Sequence, residues 1–147
     1  MKKNCLLLVL ILMSIGMSAQ NYSTQQKKLI SQISSYLSTE GYLAESQKDG
    51  LKFKHEGVNY YVEVSEEDQS PMFVRLCRYV KYSETIKQED VVKKLNTYNA
   101  KLGIKVSCQE NSLSIAAEMF VSSSSDLTDV FPTLLQQIKA TYSQITD

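Results

Sequence analysis

The sequence predicts an α+β domain: an antiparallel sheet of five or six strands with three helices mainly on one of its faces. Three observations lead there. Apolar residues recur at helical spacing in three separate stretches, and they alternate with polar residues in two others. The connections inside the alternating stretches are too short for parallel crossovers, so the strands must run antiparallel. Read along the chain, the order is α-β-β-β(-β)-α-β-β-α.

The first helix is expected over residues 22–40. Tyr22, Leu29, Ile30, Ile33, Tyr36 and Leu37 form its apolar stripe, Ser23 with Gln26 fits a capping box, and Gly41 fits the stop. From Tyr42 the period becomes two. A short strand to Gln47, a turn at Lys48-Asp49-Gly50 and the alternating run Leu51 to His55 precede a tight turn at Glu56-Gly57. Val58 to Val64 alternates again, and an acidic loop, Ser65 to Pro71, leads to a longer strand from Met72 to about Tyr82. A second helix is expected from Thr85 or Ile86 to Leu102, with Val91, Val92, Leu95, Tyr98 and Leu102 as its stripe and Gly103 ending it. Ile104 to Gln109 and Leu113 to Val121 then form a hairpin across Glu110-Asn111. The third helix carries Leu127, Val130, Phe131, Leu134, Leu135, Ile138 and Tyr142 on one face. Pro132 requires it either to start near Thr128 or Asp129 or to kink. Three amphipathic stripes must share one face of the sheet or each other, which leaves the opposite face uncovered.

The chain opens as a cleavable secretory signal. Met1, Lys2 and Lys3 are followed by an apolar run from Cys5 to Met13, which continues through Ile15 to Met17. Small residues at Ser18 and Ala19 then stand before Gln20. The run is shorter than the roughly 20 apolar residues a bilayer span needs. Cys5 precedes the apolar core, whereas a lipoprotein signal places its cysteine after it. The expected division is a signal peptide at 1–19 and a single domain at 20–147, exported to the periplasm or secreted. Cleavage removes Lys2 and Lys3 from 16 basic groups and none of the 16 acidic ones, a formal −2. That balance gives no general attraction to nucleic acid or to an anionic membrane, and no later stretch is long enough to span one.

The domain would keep Cys77 and Cys108. An oxidising compartment permits a disulfide between them. Alternation argues against it, because Cys77 falls out of phase with Met72, Val74 and Leu76 while Cys108 falls in phase with Ile104 and Val106. Cysteines on opposite faces of a sheet cannot bond without distortion.

No catalytic or metal signature stands out. His55 shares its phase with Leu51 and Phe53, which places it at the end of a core row or at a sheet edge. One histidine and two cysteines about thirty residues apart do not make a zinc site. Glu66-Glu67-Asp68 lacks the alternating ligands of a calcium loop and reads as a solvated charge run. Phosphate-binding glycine loops, a nucleophile elbow and a CxxC pair are all missing from the sequence. The expectation is a non-enzyme without cofactor.

A contact surface is the remaining candidate. If Met72, Val74 and Leu76 face the helices, then Phe73, Arg75, Cys77 and Tyr79 face away, beside Asn59, Tyr61, Glu63, Lys52 and Lys54. Aromatic residues and arginine on an uncovered sheet are the composition of a binding patch. Tyr61, Phe73, Arg75 and Tyr79 are therefore the expected partner or dimer surface.

Several stretches also resemble one family. Glu40-Gly41-Tyr42, Leu51-Lys52-Phe53, Val58-Asn59-Tyr60-Tyr61-Val62 and Phe73-Val74-Arg75-Leu76 carry the likeness. So do Leu95-Asn96 with Asn99-Ala100, and Ser112-Leu113-Ser114-Ile115 before the Pro132-bearing helix. Together they resemble the YbjN-like family over nearly all of the expected domain. The resemblance implies a fold like that of type III secretion chaperones, often dimeric and handling protein partners. Some members are described as sensory-transduction regulators. This chain departs from the family in its export signal. The expected function is an exported, non-catalytic protein-binding or chaperone-like module. The alternatives are a small periplasmic enzyme of unrecognised type or a self-associating envelope protein.

Overall fold

The computed structural model describes residues 23–100 and 103–147. The expected signal at 1–19 and the Leu102 end of the second helix lie outside them. The described elements are α1 (Thr24–Thr39), β1 (Ala44–Gln47), β2 (Gly50–His55), β3 (Val58–Val64), β4 (Met72–Lys81), α2 (Gln88–Asn99), β5 (Ile104–Cys108), β6 (Ser112–Val121), α3 (Ser124–Thr128) and α4 (Phe131–Thr146). The strands form one antiparallel sheet in the order β1-β2-β3-β4-β6-β5. The α+β class and the element order are those the periodicities predict.

Register explains where the core sits. Leu51, Val62, Leu76, Ala117 and Ile104 stand opposite one another across five strands, and all five are buried. Leu29, Ile33 and Leu37 of α1, Val91 and Tyr98 of α2, Leu127 of α3 and Phe131, Leu135 and Ile138 of α4 pack on that face. Each fully buried aliphatic or aromatic side chain there contributes about 1.5–3 kcal/mol of transfer free energy. Phe131 meets Phe53 at 5.7 Å between ring centroids, and the Arg78 guanidinium lies 3.5 Å over the Tyr142 ring, so α4 seats on β2 and β4. The row one residue out of phase, Lys52–Tyr61–Cys77–Ala116–Lys105, belongs to the other face.

Four local expectations need correction. The third helix is two helices, broken at Asp129-Val130, and Pro132 falls in the first turn of α4, where a missing N–H leaves no helical bond unmade. The Ser23 hydroxyl accepts from Gln26 N at 3.1 Å, but Gln26 does not reach back to complete a capping box. Its side chain is fully buried and donates to the Val64 carbonyl at 2.9 Å, tying α1 to β3. The acidic loop is more than a solvated run, because Asp68 Oδ1 accepts from Gln25 N at 3.0 Å at the positive end of α1. Helix α2 starts at Gln88 rather than Thr85 or Ile86, since the Ser83 hydroxyl holds Ile86 N at 3.2 Å in a bend, and Val92 is 51% exposed, off the stripe.

Candidate functional site

The open face is built around Arg75. Glu63 of β3 and Glu118 of β6 stand directly opposite it on either side. Nη1 lies 3.1 Å from Glu63 Oε2, and Nε lies 3.3 Å from Glu118 Oε1 as an ion pair without hydrogen-bond alignment. Nη2 donates to the Ser114 hydroxyl at 2.6 Å, and Nη1 also reaches Tyr79 Oη at 3.3 Å. Lys105 extends the line from β5, 3.2 Å from Glu118. Charges of alternating sign thus run across four adjacent strands.

Aromatic residues flank this knot on both sides. Tyr61 and Tyr79 pack edge to face at 5.4 Å, and the Tyr79 hydroxyl donates to Glu63 Oε1. Burial first, and then that hydrogen bond to a carboxylate, push the Tyr79 phenol well above its ordinary range. At the other end of β4, Phe73 packs against Phe120 at 5.5 Å, and Phe120 is 67% exposed. Beneath the knot sits Cys77, fully buried, its Sγ 3.4 Å from Glu63 Oε1. Burial and the adjacent carboxylate push its thiol up to about 12, so it stays protonated and unreactive at neutral pH.

The four expected surface residues therefore share one face, in unequal roles. Tyr79 and the Phe73–Phe120 pair present area to solvent, whereas Arg75 is largely consumed by its neighbours, with 17% of its side chain exposed. Sequence reasoning missed Phe120, Glu118, Ser114 and Lys105. Their alternation on β5 and β6 is visible in the sequence, but their meeting with Arg75 depends on β6 pairing with β4.

Other candidate chemistry disperses. His55 ends a core row as expected, edge-on to Tyr42 at 5.5 Å and 3.4 Å from Glu56 Oε1. Cys77 lies on the opposite face from His55, and Cys108 lies opposite Leu113 beyond the sheet centre, so neither thiol is placed for activation by it. Both cysteines are free, on opposite faces as the alternation requires. Among the described residues no group of three or more His, Cys, Asp or Glu could hold a metal ion. No described helix is long and apolar enough to cross a membrane. A cavity of about 320 Å³ opens beside β1, lined by Leu43, Glu45, Lys52, Lys54 and Asn59.

No family model and no curated protein matches the chain. Solved structures do resemble it. An uncharacterized protein from Methanothermobacter thermautotrophicus superposes with a TM-score of 0.59 at 11% identity, over 80% of this chain and 93% of that one. YbjN from E. coli, described as a candidate transcription regulator, superposes with a TM-score of 0.59 at 12% identity, over 76% of this chain and 86% of that one. The chain has a YbjN-like fold.

Proposed function

We propose that this chain is an exported, non-catalytic binding module of the YbjN-like kind, which holds a protein partner on its open sheet face. The observation that carries the reading is Phe120, 67% exposed and packed on Phe73 beside a pre-ordered arginine–carboxylate knot. An apolar anchor next to fixed polar groups is the arrangement that concentrates binding energy at interfaces. The Tyr61–Tyr79 pair widens the patch with rigid amphipathic area. The Lys-Lys start, apolar run and Ser18-Ala19 step support export.

Expressing the full chain in a bacterial host tests both parts. The released protein should have a mass beginning at Gln20. Envelope proteins that it binds specifically should lose affinity on the order of thirtyfold when Tyr61→Ala and Phe73→Ala are combined, the effect of removing a hot spot of about 2 kcal/mol. Unchanged affinity for every specific partner would remove the face from consideration, and an intact N-terminus would remove export.

A further inference from the structure

A sheet of this kind has two edges, and here they are treated differently. At β5 the edge is closed. Asn99, the last residue of α2, accepts from Val106 N at 2.6 Å and donates to Val106 O at 3.1 Å, as a neighbouring strand would. Gln88, the first residue of that helix, donates to the Gln109 carbonyl just beyond β5 at 3.4 Å. One helix thus occupies both the middle and the end of the edge.

At β1 the edge has no such closure among the described residues. The turn to β2 has two residues, Lys48-Asp49, so Gln47 and Glu45 bond across to Gly50 and Lys52 and the backbone groups of Ala44 and Ser46 point outward. The Ser46 carbonyl takes a bond from the half-buried Gln47 side chain at 3.1 Å, a local contact that a strand can displace. No described strand lies beyond β1.

The identity of the occupant follows from area and charge. A second copy, placed by a two-fold axis normal to the sheet, must keep the faces matched. Centred on Glu45 it would set Glu45 against Glu45, and from any centre β1 has only four residues to contribute. Four residues a side fall well short of the roughly 20–30 a side of a stable interface. Beside the edge, in the cavity of about 320 Å³, Lys52 is already paired with Glu45 at 3.0 Å. Lys54 lines the same cavity, exposed and without an ion pair among the described residues, and Leu43 is 90% exposed next to it. The vacant charge is positive and the adjoining surface apolar. We propose that the outer edge of β1 receives an extended acidic segment of a protein partner as a seventh strand, with a carboxylate on Lys54 and an apolar side chain on Leu43. This rests on the reading of the domain as a protein-binding module and adds the form of the partner.

Amide exchange on the full-length chain tests it, with a short extended peptide carrying valine and glutamate two residues apart, so that both reach one face, as the probe. Without peptide, Val106 should be protected while Ala44 and Ser46 exchange freely. The glutamate peptide should slow Ala44 and Ser46 on the order of tenfold, about one hydrogen bond each. A lysine version should not, and Ser46→Pro should abolish the effect. Ala44→Pro serves as a second variant should Ser46→Pro not fold. Equal protection by the lysine peptide overturns the acidic assignment. Concentration-dependent protection without peptide overturns the occupant in favour of a second copy. No protection at β1 overturns the edge, and if the Tyr61→Ala/Phe73→Ala pair still loses its partners, the face reading survives that failure.

Discussion

Alkaline titration singles out the thiol under the open face. Cys77 is fully buried, and burial followed by the Glu63 carboxylate raises its pKa from an ordinary 9.0 to about 12. The folded chain therefore holds this proton to higher pH than the unfolded chain does. The stability that results is intact below about pH 9 and is lost as pH rises toward 12. Each pH unit inside that window removes up to about 1.4 kcal/mol. Between about pH 9 and pH 11 the loss is roughly 2 kcal/mol, a large share of a small domain's stability. Urea unfolding at a series of pH values, in reductant, should show this fall in the wild type and a shallower one in Cys77→Ala. Tyr82 is raised in both proteins, and Cys77 itself contributes to the raised value of Tyr79, so the difference between the curves reports the thiol together with its effect on Tyr79. Coincident curves would refute the reasoning, as would native-state alkylation of Cys77 as fast as in urea.

Two further predictions concern the sheet. A Cβ on Gly50 would lie 1.8 Å from the Val62 carbonyl oxygen, a backbone atom on the paired strand, so Gly50→Ala should cost about 3 kcal/mol or more in urea unfolding. A double-mutant cycle between Arg75→Met and Glu63→Gln should give a coupling of about 1 kcal/mol, the worth of a partly buried charged pair held by neighbours. A coupling near zero would mean that the knot does not organise the face.

What could be read from the sequence was whatever depends on near neighbours. Alternation in Leu51–His55 and Val58–Val64 gave the face of each strand, because a period of two leaves no choice once one face is buried. The helical stripe at Leu29, Ile33 and Leu37 identified α1 in the same way. Pro132 flagged an interruption, but whether it begins a helix or bends one depends on Leu127 having its own buried seat. Gln26 looked like a cap because its spacing from Ser23 allows one; the Val64 carbonyl, distant in sequence, offered a better partner. The same limit hid half of the candidate site. Tyr61, Phe73, Arg75 and Tyr79 lie on strands joined by local turns, while Glu118 and Phe120 reach them only through the pairing of β4 with β6.

That pairing also shapes how the chain can fold. The first four strands are a meander closed by short turns, and β5 with β6 is a hairpin; each can assemble from contacts close in sequence. The ten-residue β4–β6 ladder joins these two halves, and 30 residues, including α2 and β5, separate Lys81 from Ser112. Closing a loop of that length costs roughly 3 kcal/mol of chain entropy, set against ten residue pairs zipped in one register. The docking of the C-terminal hairpin onto the meander is therefore the step expected to limit folding. Substitutions in β4 and β6 should weigh on the folding rate, whereas those at the β1 edge should show chiefly in unfolding.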